Sequence, residues 1–518
     1  MISRNASSIV AVLLLIGGTA NASGIGPVNV PVPTANPRDG VQFNRISPDL
    51  AKTLVAKGAD PLENPSGLIT RFGFLNNGAV TADQIAKGAA AATPTEPDKN
   101  TYLELARNPG GPVSGYDYGR HFLFQGHEND GDIAYVTRIN LDVDDPSHRI
   151  TLVTPVGPDG LTHFNAIDGS TWDPFTKTLL FTQEDGGAVL QIPATWPPRL
   201  AALDGILGTT GFEGIQVDPA GNLYLAEDIG GSKIHVDPGD PNSAKAARQP
   251  NAFMYRFLPY DKTNLLKGGK LQALQVSVDG SPITFHADDP EADVFSQAQL
   301  LLHTPYTSWP IAWVLVHDTG VLDSAAAQPA GFDANQMAKD AGATPFKRPE
   351  NFQFQPGTNF RKLYFDETGD TDVNSGNVLA LAQRGAWGSI FELNVARNKI
   401  SLFVLGDAEH NSFDNLAFAD PTTLLAEEDR GDSLHEQLNT LDSMWGYSVT
   451  GEPTVRWLAL GRDPVSVLLG DNEPTGIHVS NGKPGIGNMF GRASGLDGAR
   501  AFFTQQHGMN EVWEIFYR

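Results

Sequence analysis

The sequence contains no cysteine at all among its 518 residues. No disulfide framework can therefore form, although exported proteins often depend on one. Stability must come instead from bound metal and from the size of the apolar core, which a hydrophobic content of 40% allows to be large.

Positive charge is scarce. Lysine and arginine number 36 against 60 aspartate and glutamate residues, so the formal net charge is −24. Nucleic acid is excluded as a partner because phosphate backbones are bound by clustered basic residues. A strongly acidic chain attracts cations instead, although most of its carboxylates are expected to be ordinary solvated surface groups.

Long apolar runs are missing after the first 22 residues, MISRNASSIVAVLLLIGGTANA. This opening has one arginine, an apolar run over Ile9–Ile16 and a small-residue end at Ala20-Asn21-Ala22. The pattern predicts a secretory signal peptide cleaved after Ala22. The apolar run is too short to cross a bilayer, and no later run reaches about 18 residues, so no membrane span is predicted. We expect a periplasmic or secreted protein.

Amphipathic helical patterns are also few, whereas glycine (54) and proline (36) are abundant, which favours an all-β fold. One cassette recurs: an acidic or polar residue, a strand, a turn near Asp-Pro, a second strand and an acid-rich end. Full copies occupy 167–187, 211–231, 349–369 and 413–431, a looser copy 474–508 and a partial copy 116–131. The repeat predicts a six-bladed β-propeller over 66–518. A β-sandwich is the rival architecture, but it would not explain the recurrence.

Two segments lie outside the repeat. Residues 23–65 are rich in proline and alanine and are interpreted as an N-terminal arm with one helix over 49–59. Residues 285–345 contain two helical patterns, at 290–304 and 333–343, and are interpreted as an insertion between blades. Such insertions commonly cover one face of a propeller. We expect the protein to be a monomer.

The acids at the start of the cassette are the first candidate site. Corresponding positions of different blades meet around the central channel, so the aligned acids should form a ring, and carboxylates that face one another repel unless cations separate them. The members are Asp168, Glu213, Glu350 and Asp414, with Glu473 two residues before the matching Thr475. The alternative is a set of turn or capping residues, but such residues are commonly Asx or Ser rather than Glu at a strand start.

Acids at the end of the cassette are the second candidate set. Glu128 and Glu184 are interpreted as metal ligands of a second tier, whereas the pair Glu227-Asp228 could join that tier or only cap a turn. Oxygen ligands of this kind suit Ca²⁺, with manganese or Fe³⁺ as further candidates, and disfavour zinc and copper. No HExxH, CxxC or EF-hand motif occurs.

The segment QMAKDAGATPFKRPE at 336–350 resembles the signature of the PhoX-type alkaline phosphatases, exported bacterial phosphomonoesterases built on a β-propeller. Supporting segments follow in chain order: GHE at 126–128, GFEG…LYLAED…FMYRF at 211–257, FDN at 413–415 and EPTG…FFTQQHG at 473–508. The resemblance implies a Ca²⁺/Fe³⁺ cluster in the channel that polarises a small phosphate ester. It also implies that Glu213 and Glu350 are metal ligands and that Arg348 contacts phosphate.

The chain departs from that family in three places. Ala166 stands where the family has a cysteine ligand to iron, Asn351 follows the RPE where an acid is common, and the signal lacks a twin arginine. These departures suggest that calcium is kept and iron lost. His127 is a candidate acid/base beside Glu128. The leading function is metal-dependent phosphomonoester hydrolysis; the alternatives are a calcium-dependent lactonase or esterase, or a non-catalytic propeller stabilised by calcium that binds a partner.

Overall fold

The computed structural model describes residues 44–64, 69–76, 78, 92–129, 133–320, 331–429, 434–438, 440–461, 473–485, 499–506 and 509–518. The predicted signal peptide and residues 23–43 of the predicted arm lie outside these ranges. The first described strands are β1 (Arg45–Ile46) and β2 (Leu50–Ala56). Both pair with strands from the far end of the chain.

The repeating unit is an antiparallel meander of four strands. The first meander contains β3 (Glu96–Glu104), β4 (His121–Glu128), β5 (Tyr135–Asn140) and β6 (Ile150–Leu152). The second contains β7 (Ile167–Asp173), β8 (Thr178–Gln183), β9 (Leu190–Pro193) and β10 (Ala201–Ala202), followed by the short helix α1 (Asp204–Leu207). In each, turn residues join strands whose apolar side chains alternate into the spaces between neighbouring sheets.

The third meander carries insertions. Its strands are β11 (Phe212–Val217), β12 (Leu223–Glu227), β15 (Tyr255–Pro259) and β16 (Gly269–Val278), with a hairpin of β13 (Lys233–His235) and β14 (Lys245–Arg248), a 3₁₀ turn (Leu265–Lys267) and β17 (Ser281–Pro282). The predicted insertion follows, with helices α2 (Pro290–Phe295), α3 (Gln297–Leu302) and α4 (Ala334–Asp340) and strand β18 (Trp309–Asp318). Both predicted helical segments therefore contain helix.

Three meanders complete the chain. The fourth consists of β19 (Phe352–Phe354), β20 (Lys362–Glu367), helices α5 (Val373–Gly376) and α6 (Leu379–Ala382), β21 (Ser389–Asn394) and β22 (Lys399–Leu405). The fifth consists of β23 (Phe413–Asp420), β24 (Thr423–Glu428), helix α7 (Leu434–Leu438), β25 (Ser443–Ser448) and β26 (Val455–Ala459). The sixth consists of β27 (Glu473–Ser480), β28 (Arg500–Gln506) and β29 (Glu511–Tyr517), with β2 as its fourth strand.

The first strands of the six meanders contact one another in a closed ring. Each packs against the next in chain order, and β27 packs against β3 to close the circle. This is the arrangement of a β-propeller, as predicted, and it does not fit a sandwich of two facing sheets. The count of six separate blades stays a prediction, because β18 pairs with β16 and β22 and so joins the third and fourth meanders into one continuous sheet.

The helix predicted over 49–59 is wrong. β2 covers most of this segment and pairs along its length with β29, from Leu50 opposite Tyr517 to Ala56 opposite Val512. β1 similarly pairs with β26 in the fifth meander. The local pattern favoured helix, but pairing with an otherwise open sheet edge decided the outcome. Within the described residues, no helix is both long and apolar enough to cross a membrane.

Candidate metal centre

A β-bulge lies near the start of the inner strands at the position of the predicted acids. In β11 the register passes from Phe212 opposite Glu227 to Ile215 opposite Leu225, so Glu213 and Gly214 together oppose one residue. The same two-for-one step occurs at Asp98 in β3, Asp168 in β7 and Asp414 in β23. Bulges re-aim side chains at functional sites. Here the bulge turns an acid out of the blade.

Glycine follows two of these acids because neighbouring inner strands approach closely. A Cβ atom added at Gly169 would lie 1.9 Å from the carbonyl oxygen of Glu213. One added at Gly214 would lie 2.8 Å from the carbonyl oxygen of Glu350. Both separations are too short for any side chain, so glycine at these positions lets the acids of successive blades come together.

The ends of the second strands supply another tier of polar side chains. Period-two alternation decides which member of each pair faces inward. Asp228 faces the centre, while its neighbour Glu227 points into the blade and accepts hydrogen bonds from the Phe253 amide and the Tyr255 hydroxyl. Glu428 likewise stays in the blade, and Asp429 faces the centre. At the ends of β12 and β24, the cavity thus receives the acid that follows the strand, Asp228 or Asp429, and not the last acid of the strand itself.

The two tiers enclose a cavity of about 280 Å³, the carboxylate cavity. Eleven of its thirteen lining residues are acids, and the remaining two are an arginine and a glutamine. The lining is Glu96, Asp98, Glu128, Asp168, Glu184, Glu213, Asp228, Arg348, Glu350, Asp414, Asp429, Glu473 and Gln506. No histidine occurs in this lining within the described chain. The donor set is thus almost wholly carboxylate oxygen.

Several of these carboxylates have no protein partner for one oxygen. Asp98 Oδ1, Asp168 Oδ1 and Glu213 Oε2 are buried and accept no hydrogen bond. A buried carboxylate oxygen without a donor carries a large desolvation penalty. A cation bound in the cavity would give these three oxygens the positively charged partner that the protein does not supply.

Burial and mutual repulsion change the acidity of the cavity. Burial raises the pKa of Asp98 to about 6 and that of Glu350 to about 8. Burial, reinforced by neighbouring carboxylates, raises the pKa well above the usual range for Glu128, Asp168, Glu184, Glu213 and Asp414. Without added positive charge, the cavity therefore retains protons near neutral pH.

Two groups of acids bring their oxygens close enough to share an ion. Each group offers ligand atoms that all lie within 4.8 Å of one another. The first group is Glu184, Glu213, Asp228 and Glu350, and the second is Asp98, Glu128 and Asp168. The cavity can therefore hold more than one cation.

Arg348 enters the cavity from an unusual backbone conformation. Its φ is 58°, in the left-handed region that non-glycine residues rarely adopt. Its guanidinium pairs with Asp228 through Nε–Oδ1 and Nη2–Oδ2 distances of 2.9 Å each, and Nη2 lies 3.4 Å from Glu350 Oε1. Burial lowers its pKa, but Asp228 and Glu350 outweigh that effect and raise it well above the ordinary value.

A layer of neutral side chains holds individual acids in place. The Thr368 hydroxyl donates to Glu350 Oε1. The Thr475 hydroxyl donates to Asp98 Oδ2 at 2.7 Å, and Gln506 Nε2 donates to the same oxygen at 2.9 Å. Such outer contacts fix the orientation of metal ligands.

The structure brings all seven predicted metal ligands and Arg348 to this one cavity. They are Glu213, Glu350, Asp168, Asp414, Glu473, Glu184 and Glu128. His127 is not brought there, so its role as a catalytic acid/base stays a prediction without support from its position. Alternation turns its ring into the blade, where Nδ1 and Nε2 each lie 3.0 Å from a threonine hydroxyl, of Thr95 and Thr137. Burial lowers its pKa well below the usual range.

Sequence reasoning missed four lining residues, Glu96, Asp98, Asp429 and Gln506, and left Asp228 undecided between the second tier and a turn cap. One signal could have found the first two. Glu96-Pro97-Asp98 has the same form as Arg348-Pro349-Glu350 and Glu473-Pro474-Thr475, with a charged residue, proline and a polar residue at the start of an inner strand.

A family model for alkaline phosphatase PhoX matches residues 246–507. The chain belongs to the PhoX alkaline phosphatase family. This confirms the resemblance drawn from the RPE segment. The matched range contains six of the thirteen residues that line the carboxylate cavity: Arg348, Glu350, Asp414, Asp429, Glu473 and Gln506. No curated protein sequence matches the chain significantly.

Solved structures support the fold. The chain is similar to PhoX of Pseudomonas fluorescens in complex with vanadate, a transition state analogue, with a TM-score of 0.56, 13% identity and coverage of 96% of this chain and 98% of that one. At this identity the likeness concerns the fold alone. A gluconolactonase from Xanthomonas campestris gives a TM-score of 0.34 at 11% identity, covering 90% of this chain and 100% of that one. That likeness is too weak to carry an argument.

Proposed function

We propose that this member of the PhoX family is an exported, monomeric phosphomonoesterase that binds a cluster of Ca²⁺ ions in the carboxylate cavity. The observation that carries the proposal is Arg348, the only basic side chain that lines the cavity in the described part of the chain. A guanidinium among carboxylates serves an anionic ligand, because its planar fork matches two oxygens of a phosphate group.

The residues present fit a cluster of hard cations. Ca²⁺ takes about six to eight oxygen ligands in irregular geometry, and the cavity offers carboxylate oxygens, three of them buried without a partner. Glu184, Glu213, Asp228 and Glu350 would hold one ion, and the second group of acids another. Fe³⁺ is the second candidate metal. Bound cations would neutralise the acids and polarise the phosphate oxygens.

The chain's own groups then have separable tasks. Arg348 binds and orients two oxygens of the substrate phosphate, and Asp228 holds the guanidinium in the plane that this contact needs. Glu350 is held in place by a hydrogen bond from the Thr368 hydroxyl. Its carboxylate forms an ion pair with Arg348 and balances part of the charge of the guanidinium. The strained backbone at position 348 supports a functional reason for that placement, since strain of this kind is concentrated at active sites.

The alternative functions find less support. A lactonase or esterase site would present apolar surface to the carbon skeleton of its substrate, whereas every residue lining this cavity is charged or carries an amide. A purely structural calcium site would be filled by its protein ligands, whereas about 280 Å³ remains here for ions and a small phosphate group. The N-terminal pattern over 1–22 supports export to the periplasm or beyond.

The test is hydrolysis of p-nitrophenyl phosphate at alkaline pH by wild type, Glu350→Gln and Arg348→Ala, each loaded with Ca²⁺ alone or with Ca²⁺ and Fe³⁺. Wild type should turn over, and each variant should lose at least about a hundredfold in kcat/KM. Arg256→Ala is the matched control, because Arg256 pairs with Gln272 outside the cavity. A metallated wild type without turnover would refute phosphomonoesterase activity.

A further inference from the structure

A buried lysine is separated from the acids of the carboxylate cavity by a single asparagine side chain. Lys99 follows Asp98 in the bulge of β3, and only 3% of it is exposed. Its Nζ donates to Asn415 Oδ1 at 2.7 Å and to the Ile477 carbonyl at 3.3 Å. Lysine is rarely buried to this extent without a carboxylate partner, and the proposed phosphate chemistry does not use it.

The contacts of Lys99 locate it at the centre of the ring. β3 packs against β7 and β27, but Asn415 belongs to β23, which lies beyond β27. The side chain therefore reaches past its neighbouring strand to the one after it. Asn351 of the fourth meander meets the same Asn415 oxygen, with its Nδ2 at 3.2 Å. With the Ile477 carbonyl of the sixth meander, four meanders thus converge on one layer next to the cavity.

This layer is connected to the acids above it. Asn415 Nδ2 donates to Asp414 Oδ1 at 2.6 Å and to the Thr475 hydroxyl at 3.1 Å. Thr475 donates in turn to Asp98.

We propose that Lys99 is a positioning and selectivity residue of the metal centre: a fixed cation in its floor that limits the total charge of the ions the cavity accepts. The proposal rests on the proposed metal centre. A fixed positive charge repels every ion in the cavity, and the repulsion is proportional to the charge of that ion. Lys99 therefore disfavours trivalent ions more than divalent ones.

The experiment compares binding of Ca²⁺ and of Tb³⁺, an ion of similar size, to wild type, Lys99→Met, Lys99→Gln and Lys99→Arg by calorimetry and terbium luminescence. Removing the charge should tighten Ca²⁺ binding about tenfold and Tb³⁺ binding about thirtyfold, since the Coulomb energy scales with ionic charge. Lys99→Arg, which keeps the charge, should bind both ions with a Tb³⁺/Ca²⁺ preference close to that of wild type. Arg138→Met is the control, because Arg138 is equally buried but stacks on Tyr118 and Phe122 in the first meander.

The possible results distinguish the role of Lys99 from the existence of the metal centre. Equal Tb³⁺/Ca²⁺ preference in wild type and both neutral variants would overturn the role of Lys99 while leaving the metal centre intact. If the neutral variants bind both ions more weakly by the same factor, the role of Lys99 is also overturned. A purely structural defect would lower both affinities without regard to ionic charge. No binding of either ion by wild type would overturn the metal centre itself. Lys99→Gln decides the matter if Lys99→Met does not fold.

Discussion

The guanidinium of Arg348 and the carboxylate of Asp228 form two parallel hydrogen bonds in the wall of the carboxylate cavity, with Nε–Oδ1 and Nη2–Oδ2 distances of 2.9 Å each. Asp228 also belongs to the group of acids that can share a cation. One carboxylate thus connects the basic residue proposed for phosphate to the proposed metal ligands. The pairing explains how an arginine is kept in one orientation among eleven acids.

Replacing Arg348 by lysine should separate charge from geometry. Lysine keeps the positive charge but cannot form the two-point fork, so kcat/KM for p-nitrophenyl phosphate should fall by about ten- to a hundredfold. The inhibition constant of inorganic phosphate should rise in parallel, because the same contact binds the product. Arg256→Lys provides the control. Unchanged phosphate inhibition in Arg348→Lys would argue against a contact between Arg348 and phosphate.

The metal-free protein should lose stability as pH rises. Burial raises the pKa of Asp98 to about 6 and of Glu350 to about 8, so these carboxyls hold protons in the folded state that they release on unfolding. Their ionisation in the folded protein is unfavourable, and unfolding becomes easier between about pH 4 and pH 8. In chelator, the melting temperature should fall across this range.

Calcium should reverse this loss, because cations stabilise the ionised cavity. The rise in melting temperature on adding Ca²⁺ should therefore be larger at pH 8 than at pH 5, as scanning calorimetry can measure. A calcium effect of equal size at both pH values, or none at either, would contradict the placement of the ions among these acids.

His127 should prove structural. Replacing it by leucine removes the hydrogen-bond partners of the Thr95 and Thr137 hydroxyls inside the blade, at about 1–3 kcal/mol of unfolding free energy. The turnover of correctly folded, metallated His127→Leu should stay within about twofold of wild type. Loss of kcat with unchanged stability would instead support His127 as an acid/base.

The close approach of inner strands should make Gly169 essential. A methyl group there would meet the Glu213 carbonyl oxygen at 1.9 Å, so Gly169→Ala should displace the bulge that carries Asp168 and weaken calcium binding as well as lower the melting temperature. Gly205→Ala is the matched control, since a Cβ at Gly205 meets nothing within 4 Å. Equal calcium affinity in both variants would show that the bulge geometry does not set the site.

Sequence reasoning reached much of the site because the repeat carries it. Glu213 and Glu350 stand at one position of a recurring cassette, and a propeller brings equivalent positions to one ring, so their meeting could be predicted without knowing any distance. The bulge that turns Glu213 inward could not be predicted, since it depends on the register between paired strands.

Asp98 was missed for a different reason, because its strand does not have the hydrophobic pattern by which the other strands were recognised. β3 reads EPDKNTYLE, which is largely polar, yet seven of its nine residues are buried. Hydrophobic periodicity finds strands that face an apolar core, whereas the first part of this strand carries Glu96 and Asp98 into the carboxylate cavity. The β2 pairing was likewise hidden, because its partner lies about 460 residues away in the chain.

The proposed metal-dependent phosphatase is tested most directly by chelation and re-addition. Wild-type protein is stripped with chelator, and its hydrolysis of p-nitrophenyl phosphate is followed at alkaline pH as Ca²⁺ is titrated back, alone and after Fe³⁺. The proposal predicts that stripped protein is inactive and that activity returns in proportion to the ions bound. Hydrolysis that persists in the stripped protein, or that never appears in the fully loaded protein, would contradict it.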